Sequence, residues 1–131
     1  MLMRFQYLLV LVGLILGLAT TTTYAAPADY VFEPVSAQVR NGKNSEFAVR
    51  LRNKSTGKPV EGAVLFRTRL DMSPDSMGEM TARHTAVTSS EPGVYKFKAD
   101  FTMAGGWAFK LMAKVPGESE TVQGTVVFQA K

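Results

Sequence analysis

A chain of 131 residues has room for one domain, and a formal net charge of +4 is too mild an excess to mark a nucleic-acid partner. It contains no cysteine, which excludes disulfides and thiolate metal sites and leaves an apolar core to supply the stability. Residues 1–25 read as a cleaved signal peptide. Arg4 supplies the positive start, residues 8–19 form an apolar and glycine run, and Thr23-Tyr24-Ala25 has the small-residue pattern of a signal-peptidase site. The run falls short of the roughly 20 residues that cross a bilayer, so an uncleaved N-terminal anchor is the minor alternative. Residues 26–131 are therefore expected to form a single periplasmic domain, with no stable membrane insertion after cleavage.

The strands then follow in order. Residues 30–35 read as a first strand, where Pro34 marks either an edge or a switch between sheets, and 36–40 continue it. Asn41-Gly42 is turn chemistry. Residues 45–53 alternate with a period of two, placing Phe47, Val49 and Leu51 on one face. After a polar loop at 54–59, residues 64–70 place Val64, Phe66, Thr68 and Leu70 opposite Leu65, Arg67 and Arg69.

Residues 71–84 interrupt the pattern. Gly78 forbids a long helix, and a short helical turn over 75–80 fits the composition. A short strand at 82–87 comes next. Residues 94–103 turn Tyr95, Phe97, Ala99, Phe101 and Met103 inward; 107–115 do the same with Trp107, Phe109, Leu111, Ala113 and Val115. Residues 121–130 close the chain with Val122, Gly124, Val126 and Phe128 inward. About seven strands at this spacing predict an all-β antiparallel β-sandwich.

Little in the sequence suggests catalysis. There is one histidine, no Gly-x-Ser-x-Gly elbow and no phosphate-cradling glycine loop. The acidic pairs Asp71/Asp75 and Glu118/Glu120 sit in polar turns and read as solvated. The expectation is no enzyme and no organic cofactor. Soft metal binding is the live chemistry. Met72, Met77 and Met80 lie in one loop, His84 follows, and Met103 precedes a Gly-Gly turn. Thioethers suit Cu(I), and imidazole is acceptable to Cu(I) and Cu(II). If the loops after Leu70 and Met103 share an end of the sandwich, Met72, Met77, Met80, His84 and Met103 are the candidate ligands, with Trp107 as a wall against water. Against this stands the ordinary use of methionine as core filler. Met103 continues an inward face, and Met112 falls among the outward lysines as packing. A metal-free contact surface, or a pocket for a small apolar compound, are the competing readings.

The run Asp71-Met72-Ser73-Pro74-Asp75-Ser76-Met77, then Glu91-Pro92-Gly93-Val94-Tyr95, then Phe101-Thr102-Met103-Ala104-Gly105-Gly106-Trp107 resembles the YtkA-like/FixH-like group of small exported domains. The resemblance covers most of residues 60–130. It implies an immunoglobulin-like sandwich and an association with copper, heavy-metal efflux and copper-oxidase assembly. Carried onto this chain, it implies metal ligation by Met72, Met77, Met80 and Met103, with His84 less directly supported. FixH-type members keep a transmembrane anchor and many exported copper proteins carry His-rich tails, neither expected here. The combined expectation is a periplasmic copper-handling protein that passes metal to an efflux or assembly partner.

Overall fold

The computed structural model describes residues 27–131; the expected signal peptide lies outside them. A short 3-10 turn at Pro27–Asp29 leads into nine strands: β1 (Tyr30–Pro34), β2 (Gln38–Val39), β3 (Gly42–Asn53), β4 (Val64–Met72), β5 (Met77–Thr81), β6 (His84–Val87), β7 (Val94–Phe101), β8 (Gly105–Lys114) and β9 (Val122–Ala130). They form two packed sheets with orders β1–β3–β7–β6 and β2–β9–β8–β4–β5. This is the immunoglobulin arrangement, an A-B-E-D sheet facing a G-F-C sheet, here with one extra strand beyond C and the first strand divided between the sheets. The division follows Pro34. It ends β1 on the edge of the first sheet, opposite Val49, where its missing N–H costs nothing. The chain then crosses, and β2 pairs in parallel with β9 in the other sheet.

Nine strands replace the expected seven for two reasons. One is this crossing. The other is the methionine segment, where residues 77–81 are extended as β5 and only Ser73–Asp75 is helical.

The alternation read from the sequence places the core correctly along β3, β7, β8 and β9. Phe47 sits at its centre, with ring centroids of Phe97, Phe101, Phe109 and Phe128 at 5.4, 5.6, 5.1 and 5.2 Å. Trp107, Phe101, Phe109 and Phe128 are fully buried. β4 departs from the expectation. Its ladder to β8 slips between Leu65 and Arg67, so that Leu65 opposes Ala113 and Arg67 opposes Met112. Phe66 is the extra residue of this bulge, which resets the alternation. Leu65 therefore turns inward, while Val64 and Phe66 are 59% and 48% exposed.

Tyr95 fastens the loop before β4. Its hydroxyl donates to the Val60 carbonyl at 2.7 Å and accepts the Ala63 N–H at 2.9 Å. Burial pushes its phenol up, opposed by the Ala63 hydrogen bond. Tyr95→Phe leaves both loop groups without this partner. It is expected to cost about 1–2 kcal/mol in a chemical-denaturation experiment.

Candidate functional site

β4 ends on Leu70-Asp71-Met72, with Leu70 and Met72 in the core and Asp71 on the outer face of the sheet. Proline at the start of Ser73–Asp75 suits a helical first turn. Ser76 then adopts a left-handed backbone, φ 60°, with its N–H on the Ser73 carbonyl at 3.0 Å. That reversal sends the chain back as β5. Met77 pairs directly opposite Met72. Residues opposite each other on a ladder share a face, so Met77 packs beside Met72 against the core. The next paired positions are Asp71 and Thr81. Gly78, Glu79 and Met80 are thus displaced from the ladder, and Met80 is 38% exposed.

This hairpin docks on the turn between β7 and β8. The Asp75 carboxylate accepts the Gly106 N–H at 3.0 Å. Gly105 lies beneath it with φ 136°, a conformation that favours glycine. A Cβ there would strike the Asp75 carboxylate and lie 2.9 Å from the Met72 methyl. A Cβ on Gly106 would lie 2.9 Å from Pro74. The Gly-Gly pair that looked like a tight connection is therefore also the seat of the hairpin. Met103 stands in the same turn. The strand ends at Phe101, so Met103 leaves the inward face and is 43% exposed. Its carbonyl accepts the Trp107 indole N–H at 3.0 Å. The two loops do share one end of the sandwich. Trp107 is core here, not a wall facing solvent.

Asp71 is not the solvated turn residue its neighbours suggested; it is 1% exposed. One oxygen accepts the Ser73 N–H at 2.9 Å; the other takes Arg69 Nε at 2.8 Å and Lys110 Nζ at 3.1 Å. Burial pushes the carboxyl up, but the bonds from Ser73, Arg69 and Lys110 together outweigh it and hold it well below the usual carboxylate range. Arg69 also reaches the Gly78 carbonyl at 2.7 Å, tying the outer face of β4 to β5. The sequence held a signal for this cluster: Arg69 and Asp71 lie two apart on one strand face.

His84 faces the space between the sheets. Nδ1 lies 3.2 Å from the Ala82 carbonyl, which can only accept, so that nitrogen donates. In the neutral ring Nε2 then accepts the Thr68 hydroxyl at 2.7 Å. The ring stands edge-on to Phe109, centroids 5.5 Å apart. His84 thus bridges β6 to β4 across the sandwich, with both nitrogens engaged. Met72 is fully buried. The candidate thioethers nearest solvent are Met80 and Met103, with Met77 half-buried in the hairpin. Among the described residues no group of three or more His, Asp or Glu side chains is placed to hold a metal.

A groove of about 530 Å³ lies elsewhere, at the far end of β4, between residues 61–65 and the approach to β7. It is lined by Leu65, Val87, Tyr95 and Phe97 among others, and Trp107 takes no part in it.

A YtkA-like family model matches residues 24–112. No curated protein matches the chain in sequence. Among solved structures the chain is similar to the ZirS C-terminal domain, at 11% identity and a TM-score of 0.47, over 100% of this chain and 80% of that one. No helix among the described residues is long and apolar enough to cross a membrane.

Proposed function

The chain belongs to the YtkA-like family, and from that premise we propose that it is an exported, periplasmic, non-catalytic protein that carries Cu(I) at the hairpin end of its sandwich. The observation that supports this reading is the meeting of two separate loops, one carrying half-buried Met77 and exposed Met80 and the other exposed Met103. Thioether sulfur is a soft donor and matches Cu(I) better than any hard cation. Met77, Met80 and Met103 are the proposed ligands. Met72 supports them from the core, and His84 is left to hold β6 against β4 through Thr68. Exposed thioethers also suit release, since a receiving protein can approach the ion directly. The proposed receivers are components of a metal-efflux or copper-enzyme assembly system. Cu(II) would bind less well to a sulfur-only set.

Titration of the reduced protein with Cu(I) against a competing chelator tests the proposal. Changing Met77, Met80 and Met103 together to leucine conserves side-chain volume, which cores tolerate at under about 1.5 kcal/mol per site. Affinity is expected to fall at least about tenfold, equivalent to 1.4 kcal/mol of binding. Met72→Leu is expected to leave it unchanged. An unaltered affinity in the triple variant would sink the copper reading. It would favour the second one, in which the same exposed methionines form an adaptable apolar contact surface without metal.

A further inference from the structure

Both sheets carry cations on their outer faces, but the charge is balanced differently. On the four-stranded sheet Glu33 stands opposite Arg50 and Glu46 opposite Lys98. Glu33 is also ion-paired with Arg52. On the five-stranded sheet β8 and β9 contain no acid and β4 contains only Asp71; the one other acid among its strands is Glu79, on the edge strand β5. That carboxylate is already claimed by Arg69 and Lys110. The Arg67 side chain has no hydrogen bond or ion pair among the described residues, and the Lys114 side chain has only the Phe66 ring, 6.0 Å from its ammonium.

The centre of this face is hollow. Arg67, Arg69, Lys110, Met112, Gln123 and Thr125 line a shallow depression of about 480 Å³. Apolar side chains flank it along the strands: Val64 and Phe66 toward one end of the sheet, Val127 toward the other, each between 45% and 59% exposed.

We propose that this face docks an acidic segment of a partner protein, one Asp or Glu side chain entering the depression to be held by Arg67. The sign of the charge selects an anion. The unengaged guanidinium offers a planar pair of donors matched to a carboxylate. Gln123 and Thr125 add polar groups on the opposite wall, and Val64, Phe66 and Val127 add apolar contact at the margins. The inference is independent of the methionine end and of any metal.

The test uses the exported protein, isotope-labelled, with three probes: a short glutamate-rich peptide, its glutamine counterpart, and vesicles containing phosphatidylglycerol. The glutamate peptide is expected to bind, with amide shifts clustered at Arg67, Met112, Gln123 and Thr125, and to weaken as salt is added. The glutamine peptide is expected not to bind. Arg67→Glu should reduce affinity at least about tenfold, and Arg67→Lys less. Lys98→Glu, an equal charge change on the other sheet, should leave it alone. Arg67 is exposed, so its variants are expected to keep the fold, which thermal unfolding verifies. The proposal is overturned by an equal loss in Lys98→Glu, by shifts scattered over both sheets, by capture on vesicles without capture of the peptide, or by self-association of the protein through this face.

Discussion

Gly105→Ala is expected to lower the stability of the domain by about 3 kcal/mol, the sum of an unfavourable backbone conformation and forced overpacking. The added methyl meets the Asp75 carboxylate and the Met72 methyl together. The first is the hairpin's bond to Gly106 and the second is core, so neither can yield without the other. The damage should be uneven. Hydrogen exchange at β5 and at the Gly106 amide is expected to accelerate far more than in the middle of β3 and β7, which pair with each other in the opposite sheet. Denaturation midpoints and exchange rates together check the claim. A normal midpoint with normal protection of β5 would show that the seat is looser than the structure has it. Under the copper reading the same variant should also weaken Cu(I) binding, although it removes no sulfur.

Asp71→Asn is the second large effect, expected to cost about 2–3 kcal/mol, because it removes a buried charge on which two cations converge. Arg69 and Lys110 stand directly opposite each other on the β4–β8 ladder, so their repulsion is uncovered when the carboxylate goes. Both are half-exposed and recover some hydration, which keeps the figure below that of a fully buried pair. The pH dependence carries a sign. The folded carboxyl titrates below its unfolded value, so the unfolded chain takes up protons first as the solution is acidified. The stabilisation is complete above about pH 5 and is lost progressively in stronger acid. Wild type and Asp71→Asn should therefore differ most near neutrality and converge at low pH. A constant difference across that range would assign the cost to shape and not to charge.

The strands and most of the core were legible because alternation with a period of two is a direct imprint of a half-buried sheet. Phe47, Phe97, Phe109 and Phe128 needed nothing more. Pro34, through its lost donor, pointed to either an edge or a switch between sheets, and the chain has both there. Phe66 was misplaced because a bulge is a matter of register between two strands, and one strand's sequence does not reveal where its neighbour slips. The methionine segment was taken for a loop with a helical turn. Its extended half is held by partners outside the segment, notably the Leu70 carbonyl on the Ala82 N–H at 2.9 Å and Arg69 on the Gly78 carbonyl. Asp71 followed the same logic: a carboxylate beside a turn is normally wet, and although Arg69 and Ser73 lie close in sequence, the third partner, Lys110, comes from 39 positions on. At the candidate site the sequence named the sulfurs, but their sorting into buried Met72 and exposed Met80 and Met103 depends on how two distant turns meet.

The parallel contact of β2 with β9 has a kinetic corollary. A segment near the start of the domain finds its hydrogen-bonding partner only in the last strand of the fold. Pairings this remote in sequence close the largest loops and form late. A chain still being made would keep that flap undocked, and the flank of β8 open, until β9 was complete. Shortening the carboxyl end by one strand should therefore trap a sticky, half-assembled species in place of a slightly smaller domain.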